Sequence, residues 1–152
     1  MRVRFLAALV LAVLAAVLLT GSDMAAARSD AASATLTVRS SNYGRILFDG
    51  SNRALYAFTR DPRGKTTCYG ACAVAWPPYI VSGKLTAGAG TSRSLLGTVR
   101  RRDGRRQLTY AGRPLYYYVH DGVGQVLCQN VSEFGGLWLV VRGSGKLVRL
   151  PR

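Results

Sequence analysis

Cys68, Cys72 and Cys128 are the three thiols of the chain, and His120 is its single imidazole. Thiolates with one imidazole are a donor set that copper(I) or zinc(II) takes. Cys68, Cys72, Cys128 and His120 therefore define one reading, an extracytoplasmic thiol or copper protein. The competing chemistry is covalent. Cys68 and Cys72 flank Gly70 closely enough to bridge through a loop, and in an oxidising compartment such neighbours pair. The Cys68–Cys72 bridge is favoured. A bond from Cys128 to either partner is the alternative, and the leftover thiol is either buried or joins two chains in a disulfide-linked dimer. No cofactor is required under the covalent reading. Gly64-Lys65-Thr66 has the look of the end of a phosphate loop, but Thr59 stands where the first glycine is needed. No Gly-x-Ser-x-Gly accompanies the lone histidine, so catalysis is not expected.

A second set of candidate residues occurs twice. Leu55-Tyr56-Ala57-Phe58-Thr59-Arg60-Asp61 returns as Leu115-Tyr116-Tyr117-Tyr118-Val119-His120-Asp121. The echo continues outward, with Gly44 answered by Gly104, Arg53 by Arg113, Cys68 by Cys128 and, slightly out of phase, Trp76 by Trp138. Two copies of one supersecondary unit follow from this. In a strand, Tyr56 and Phe58 share one face and Leu55 and Ala57 the other, and likewise Tyr116 and Tyr118 against Leu115 and Tyr117. Both faces are apolar, which marks central strands. Asp61 and Asp121 stand where those strands end, and an acid there accepts backbone N–H groups of the following turn. The functional alternative is a site where the tyrosine hydroxyls and both acids converge on a ligand or cation. A cavity lined by Tyr56, Phe58, Tyr116 and Tyr118 would make the protein an apolar small-molecule binder; a filled core would not. His120 falls in the slot of Arg60, which reads as an exposed strand end.

Charge is the third signal. The chain carries 21 Lys plus Arg against 7 Asp plus Glu, a net +14, and only Lys65, Lys84 and Lys146 are lysines. Arg100, Arg101, Arg102, Arg105 and Arg106 surround Asp103-Gly104, a hairpin tip from which they are expected to project into solvent together. Guanidinium groups match phosphate bidentately, so anionic envelope polymer or lipid headgroups are the expected partners. The plain alternative is a solvated edge that resists strand-to-strand aggregation. No nucleic-acid module accompanies the patch, so specific nucleic-acid binding is not expected.

The elements that must position these residues are short. Arg2, Arg4, the apolar run from Phe5 to Leu19 and the stretch Met24-Ala25-Ala26-Ala27 form a secretory signal over residues 1–27. That run reaches only about 22 Å as a helix, short of a bilayer core of about 30 Å, so no transmembrane span is expected after cleavage. No cysteine follows it closely, so there is no lipobox. Residues 28–34 form a flexible lead, and 35–152 a single domain of two repeats, 35–96 and 97–150. In the first, Thr35 to Arg39, Arg45 to Phe48 and Arg53 to Thr59 predict a three-stranded meander. In the second, Leu96 to Arg101, Arg106 to Tyr110 and Pro114 to Val119 predict another. Residues 69–76 form at most a short helix, stopped by Pro77-Pro78. Gly83 to Ser92 reads as a joining loop, and Leu137 to Arg142 with Lys146 to Leu150 as a final hairpin. The fold class is all-β, two tandem repeats of antiparallel strands in one sandwich-like or small barrel-like domain.

The two Tyr-x-aromatic-x-x-Asp copies, the segment Cys68-Tyr69-Gly70-Ala71-Cys72-Ala73-Val74-Ala75-Trp76-Pro77-Pro78 and the run Gln107 to Tyr116 resemble the bacterial family of secreted repeats of unknown function. That family is also described as predicted lipoproteins with a YxFxxD-like motif. The resemblance spans roughly residues 42–142 and implies a secreted, cell-envelope protein acting as a binding or structural module. This chain departs from the lipoprotein description in lacking a lipidated cysteine, and Cys128 lies outside the family's usual pattern.

Overall fold

The computed structural model describes residues 34–149. The expected signal segment 1–27 and all but the last residue of the expected lead 28–34 lie outside the described residues. Nine strands and one short α-helix run in the order β1 (Ala34–Ser41), β2 (Gly44–Asp49), β3 (Tyr56–Phe58), α1 (Ala71–Ala75), β4 (Leu85–Ala87), β5 (Leu96–Arg100), β6 (Arg106–Tyr110), β7 (Arg113–Pro114), β8 (Val131–Glu133) and β9 (Gly136–Val140), with a 3-10 turn at Arg93–Leu95 before β5. They form three small sheets, ordered β2-β1-β4, β3-β9-β8 and β5-β6-β7. The described residues are mostly β, and their sheets do not close into a barrel.

Each copy opens on an antiparallel hairpin, β1–β2 in the first and β5–β6 in the second. Both tips turn on a glycine with positive φ, Gly44 at 82° and Gly104 at 81°, a conformation that side chains rarely adopt. The second copy continues antiparallel into β7, but this strand is Arg113–Pro114 alone and not the expected run from Pro114 to Val119. The first copy does not continue in this way. Leu55 N–H still donates to Leu47 O, as Leu115 N–H does to Leu108 O, but β3 then leaves the hairpin and pairs with β9. Part of the joining loop is also a strand. β4 lies parallel to β1, and Gly88 permits it, because a Cβ there would come within 2.8 Å of Leu36 O.

The alternation of the central strands divides the interior in two. Tyr56, Phe58 and Tyr116 enter one cluster with Ile46, Phe48, Trp76, Trp138 and Val140, while Tyr118 packs at its edge. Leu55, Ala57 and Leu115 enter the other with Leu36, Val38, Leu47, Leu108, Tyr110 and Val141, and Tyr117 packs against that one. Both clusters draw residues from both copies. Burying two whole indoles, Trp76 and Trp138, favours folding by about 4–6 kcal/mol each before chain entropy is set against it.

The repeated tyrosines of the two copies also pair directly through the backbone. Tyr56 N–H donates to Tyr116 O and Tyr116 N–H to Tyr56 O, both at 2.9 Å, which places a local two-fold axis between the repeated tyrosines. The same exchange recurs further out: Gly64 N–H donates to Gly112 O and Gly124 N–H to Asn52 O, each at 2.7 Å. The loop after each repeated Asp is thereby fastened to a turn of the other copy.

Candidate functional site

The repeated residues gather around this axis, with each side chain directed to the opposite copy. Tyr56 donates its hydroxyl to Asp121 Oδ2 at 2.6 Å, and Tyr116 donates to Asp61 Oδ2 at 2.6 Å. The other carboxylate oxygen of each acid holds its own loop. Thr67 N–H donates to Asp61 Oδ1 at 2.7 Å, and Leu127 N–H to Asp121 Oδ1 at 2.9 Å. Each aspartate therefore does two jobs, one local and one between copies. The turn-capping role was legible from sequence; the crossing was not.

Burial dominates the electrostatics of these pairs. It raises Asp61 and Asp121 above the ordinary carboxylate value of 3.8, while the tyrosine hydrogen bonds and loop N–H groups pull the other way. Burial, reinforced by the adjacent carboxylates, pushes Tyr56 and Tyr116 well above the usual phenol range. These hydroxyls stay protonated and act as donors. A third pair has the same form. Asp49 accepts Ser51 and Arg53 N–H on Oδ1 and the Tyr117 hydroxyl on Oδ2 at 2.9 Å. Asp49 lies outside the repeated Tyr-x-aromatic-x-x-Asp segments, so the repeat does not single it out.

The second aromatic of each copy joins a stack. Phe58 lies on Trp138 with centroids 4.2 Å apart, Trp138 on Trp76 at 4.0 Å, and Trp76 against Tyr118 at 4.8 Å. Tyr56 and Tyr116 meet the two indoles edge-on, each at 5.1 Å. The Trp76 indole N–H donates to Glu133 at 2.8 Å. The space between the copies is thus occupied by indole, which removes the expectation of a small-molecule cavity lined by Tyr56, Phe58, Tyr116 and Tyr118. A groove of about 410 Å³ does open at the surface, between Ser40, Ser41 and Asn42 and the loop from Gly124 to Leu127.

Cys68 and Cys72 form a disulfide, and Cys128 is a free, half-buried thiol. Cys128 stands next to Tyr118, whose hydroxyl is pushed up to about 12, first by its hydrogen bond with that thiol. Burial raises the Cys128 thiol in turn. His120 is exposed and lies edge-on to Tyr118 at 5.4 Å. With two thiols consumed by the bridge, the Cys68, Cys72, Cys128 and His120 donor set is not assembled. Among the described residues no three His, Cys, Asp or Glu side chains are grouped to hold a metal.

The hairpin arginines need one correction. Arg101 does not project with the rest; it is 4% exposed and turns inward. Its guanidinium donates to Gln107 Oε1 at 2.7 Å, Cys68 O at 2.8 Å and Thr66 Oγ1 at 3.1 Å, and it lies 4.4 Å over the Tyr69 ring. Since Tyr116 donates to Asp61, Thr66 donates to Tyr116, and Arg101, Thr66, Tyr116 and Asp61 form one directed chain. The residue sits on the face of the hairpin that packs inward, so its charge is structural. Arg105 is exposed but held by Asp103 at 2.6 Å. Arg100, Arg102 and Arg106 are exposed as expected.

A family model described as a secreted repeat of unknown function matches the chain twice, over residues 37–79 and 97–142. Each match holds the hairpin that opens its copy, one Tyr-x-aromatic-x-x-Asp segment and one tryptophan, and ends just beyond that tryptophan. No curated protein and no solved structure matches the chain.

Proposed function

The chain belongs to the family of secreted repeats of unknown function, and from that premise we propose that it works outside the cytoplasm as a non-catalytic module that binds anionic polymer of the cell envelope. The supporting observation is how the acids are used. Asp49, Asp61 and Asp121 are buried on tyrosines and Glu133 is half-buried on an indole, so Asp103 is the one exposed carboxylate among the described residues. Fixing the copies together consumes nearly all the negative charge. What remains outside is arginine and lysine, a surface that attracts polyanions. Asp49, Asp61 and Asp121 are each less than a tenth exposed and are taken up by tyrosine hydroxyls, and the Cys68–Cys72 bridge suits an oxidising compartment.

The test is retention of the exported protein on immobilised polyglycerol phosphate across a salt gradient. Replacing Arg100, Arg102 and Arg106 together with Gln should lower the eluting salt concentration, because each lost phosphate contact reduces counter-ion release. Elution unchanged from the parent would remove the hairpin from this function.

A further inference from the structure

We propose that Arg63, Arg113 and Arg149 form a second, more specific site that takes a single phosphate group. The site deepens the polymer-binding reading and rests on it only for the natural source of the phosphate. Its basis is a place where the two copies differ. Arg53 and Arg113 occupy matching positions just before the central strands. Arg53 is well satisfied: its guanidinium lies 4.5 Å over the Tyr117 ring and donates to Tyr118 O at 3.3 Å, close to the charge of Asp121. Exchanging the copies puts Arg113 opposite Ala57, where no ring exists. Its Nε is buried without a hydrogen-bond partner.

Two further arginines are brought to the same corner. Arg63 donates to Ala111 O, and Gly64 N–H donates to Gly112 O at 2.7 Å, so the Arg63 loop lies against the turn that leads into Arg113. From the other side the Tyr110 hydroxyl donates to Gly143 O at 2.7 Å and Gly145 lies against Ala111, which brings the Gly143–Gly145 turn, four residues before Arg149, to this corner. Burial, then the charges of Arg63 and Arg149, hold the Arg113 guanidinium below the ordinary arginine range. None of the described carboxylates is free to offset them. Asp49, Asp61 and Asp121 serve tyrosines, Glu133 serves Trp76, and Asp103 serves Arg105. Like charges held together without a counter-ion are unfavourable, and a tetrahedral oxyanion supplies acceptors for all three at once.

The experiment follows arginine Nε–H resonances of the full exported protein during titration with inorganic phosphate. The Arg113 signal should shift saturably, and Arg113→Gln and the exposed-site variant Arg149→Gln should each weaken binding about tenfold, one charge-assisted contact's worth. Arg102→Gln should leave that response intact. An Arg113 signal that stays put while hairpin signals move, or Arg149→Gln binding phosphate like the parent, overturns the site. Parallel titrations with glycerol phosphate oligomers and with anionic phospholipid vesicles identify the source: tighter response to one assigns polymer or headgroup, and equal response assigns the free ion. If the hairpin variants keep the polymer while Arg113 still responds, the hairpin reading falls and this site stands; the reverse pattern overturns this site alone.

Discussion

The Tyr56 hydroxyl donates at 2.6 Å to Asp121, 65 positions away and in the other copy, while its own copy's Asp61 receives Tyr116 instead. The Tyr-x-aromatic-x-x-Asp signature is therefore not a unit of local structure. It is two half-joints, each completed by the other copy. This explains why both a donor and an acceptor are repeated, and why the acid comes after the strand, where it can both hold its loop and reach across.

The crossing predicts a coupling pattern. Tyr56→Phe leaves a buried carboxylate oxygen without its donor and should cost about 1–3 kcal/mol. In a double-mutant cycle read by urea unfolding, Tyr56→Phe with Asp121→Asn should be non-additive by at least about 0.5 kcal/mol, and Tyr56→Phe with Asp61→Asn close to additive. The opposite pattern would show that each tyrosine serves its own copy.

One copy alone should not fold. A fragment of residues 35–96 keeps Tyr56 and Asp61 but loses both of their partners, and it loses Trp138 from between Phe58 and Trp76. Each core cluster is also cut through. Thermal unfolding followed by circular dichroism should show no cooperative transition. A sharp one would contradict the interlocked arrangement.

Stability should fall as pH rises out of the acid range. Asp61 and Asp121 hold their protons more tightly folded than unfolded, because burial raises both above 3.8. The stabilisation from these groups is complete below that ordinary value and declines as pH climbs through the raised folded values. Urea midpoints measured from pH 3 upward should show a decline that shrinks in the Asp61→Asn and Asp121→Asn variants. A midpoint that rises over the same interval in the parent, and flattens in the variants, would mean both acids are held below their ordinary value.

The cysteines should separate into one bridge and one thiol. Alkylation without reduction should add a single label to the exported protein, at Cys128, and slowly, since burial raises that thiol. Cys68→Ser should lower stability by about 2 kcal/mol, the chain-entropy value for so short a loop. Three labels, with copper or zinc bound in stoichiometric amount, would restore the metal reading.

Much of this was legible from residue order, and what was not shares one cause. Strand alternation placed Tyr56 and Phe58 on one side and Leu55 and Ala57 on the other, and the two core clusters follow that division. The Cys68–Cys72 bridge and the short helix before Pro77 were local signals as well. Repetition, however, says that two units are alike and not that they exchange partners. The Tyr56 to Asp121 pairing and the stacking of Trp76 on Trp138 depend on how the copies dock. Arg101 was misplaced for a related reason: a run of arginines looks uniformly solvated, yet the alternation of the hairpin turns this one toward Gln107 and Cys68. Nothing in the run itself separates it from its neighbours.

The withdrawal of acids into the interior has a further outcome for behaviour in changing surroundings. Arginine keeps its proton to beyond pH 12, and among the described residues only Asp103 offers an exposed acid to titrate. Across mildly acidic to mildly alkaline conditions the arginines of the exterior therefore act as fixed positive charge. Attraction of a polyanion to such a surface is expected to depend on ionic strength and on the polymer's own ionisation more than on titration of the protein.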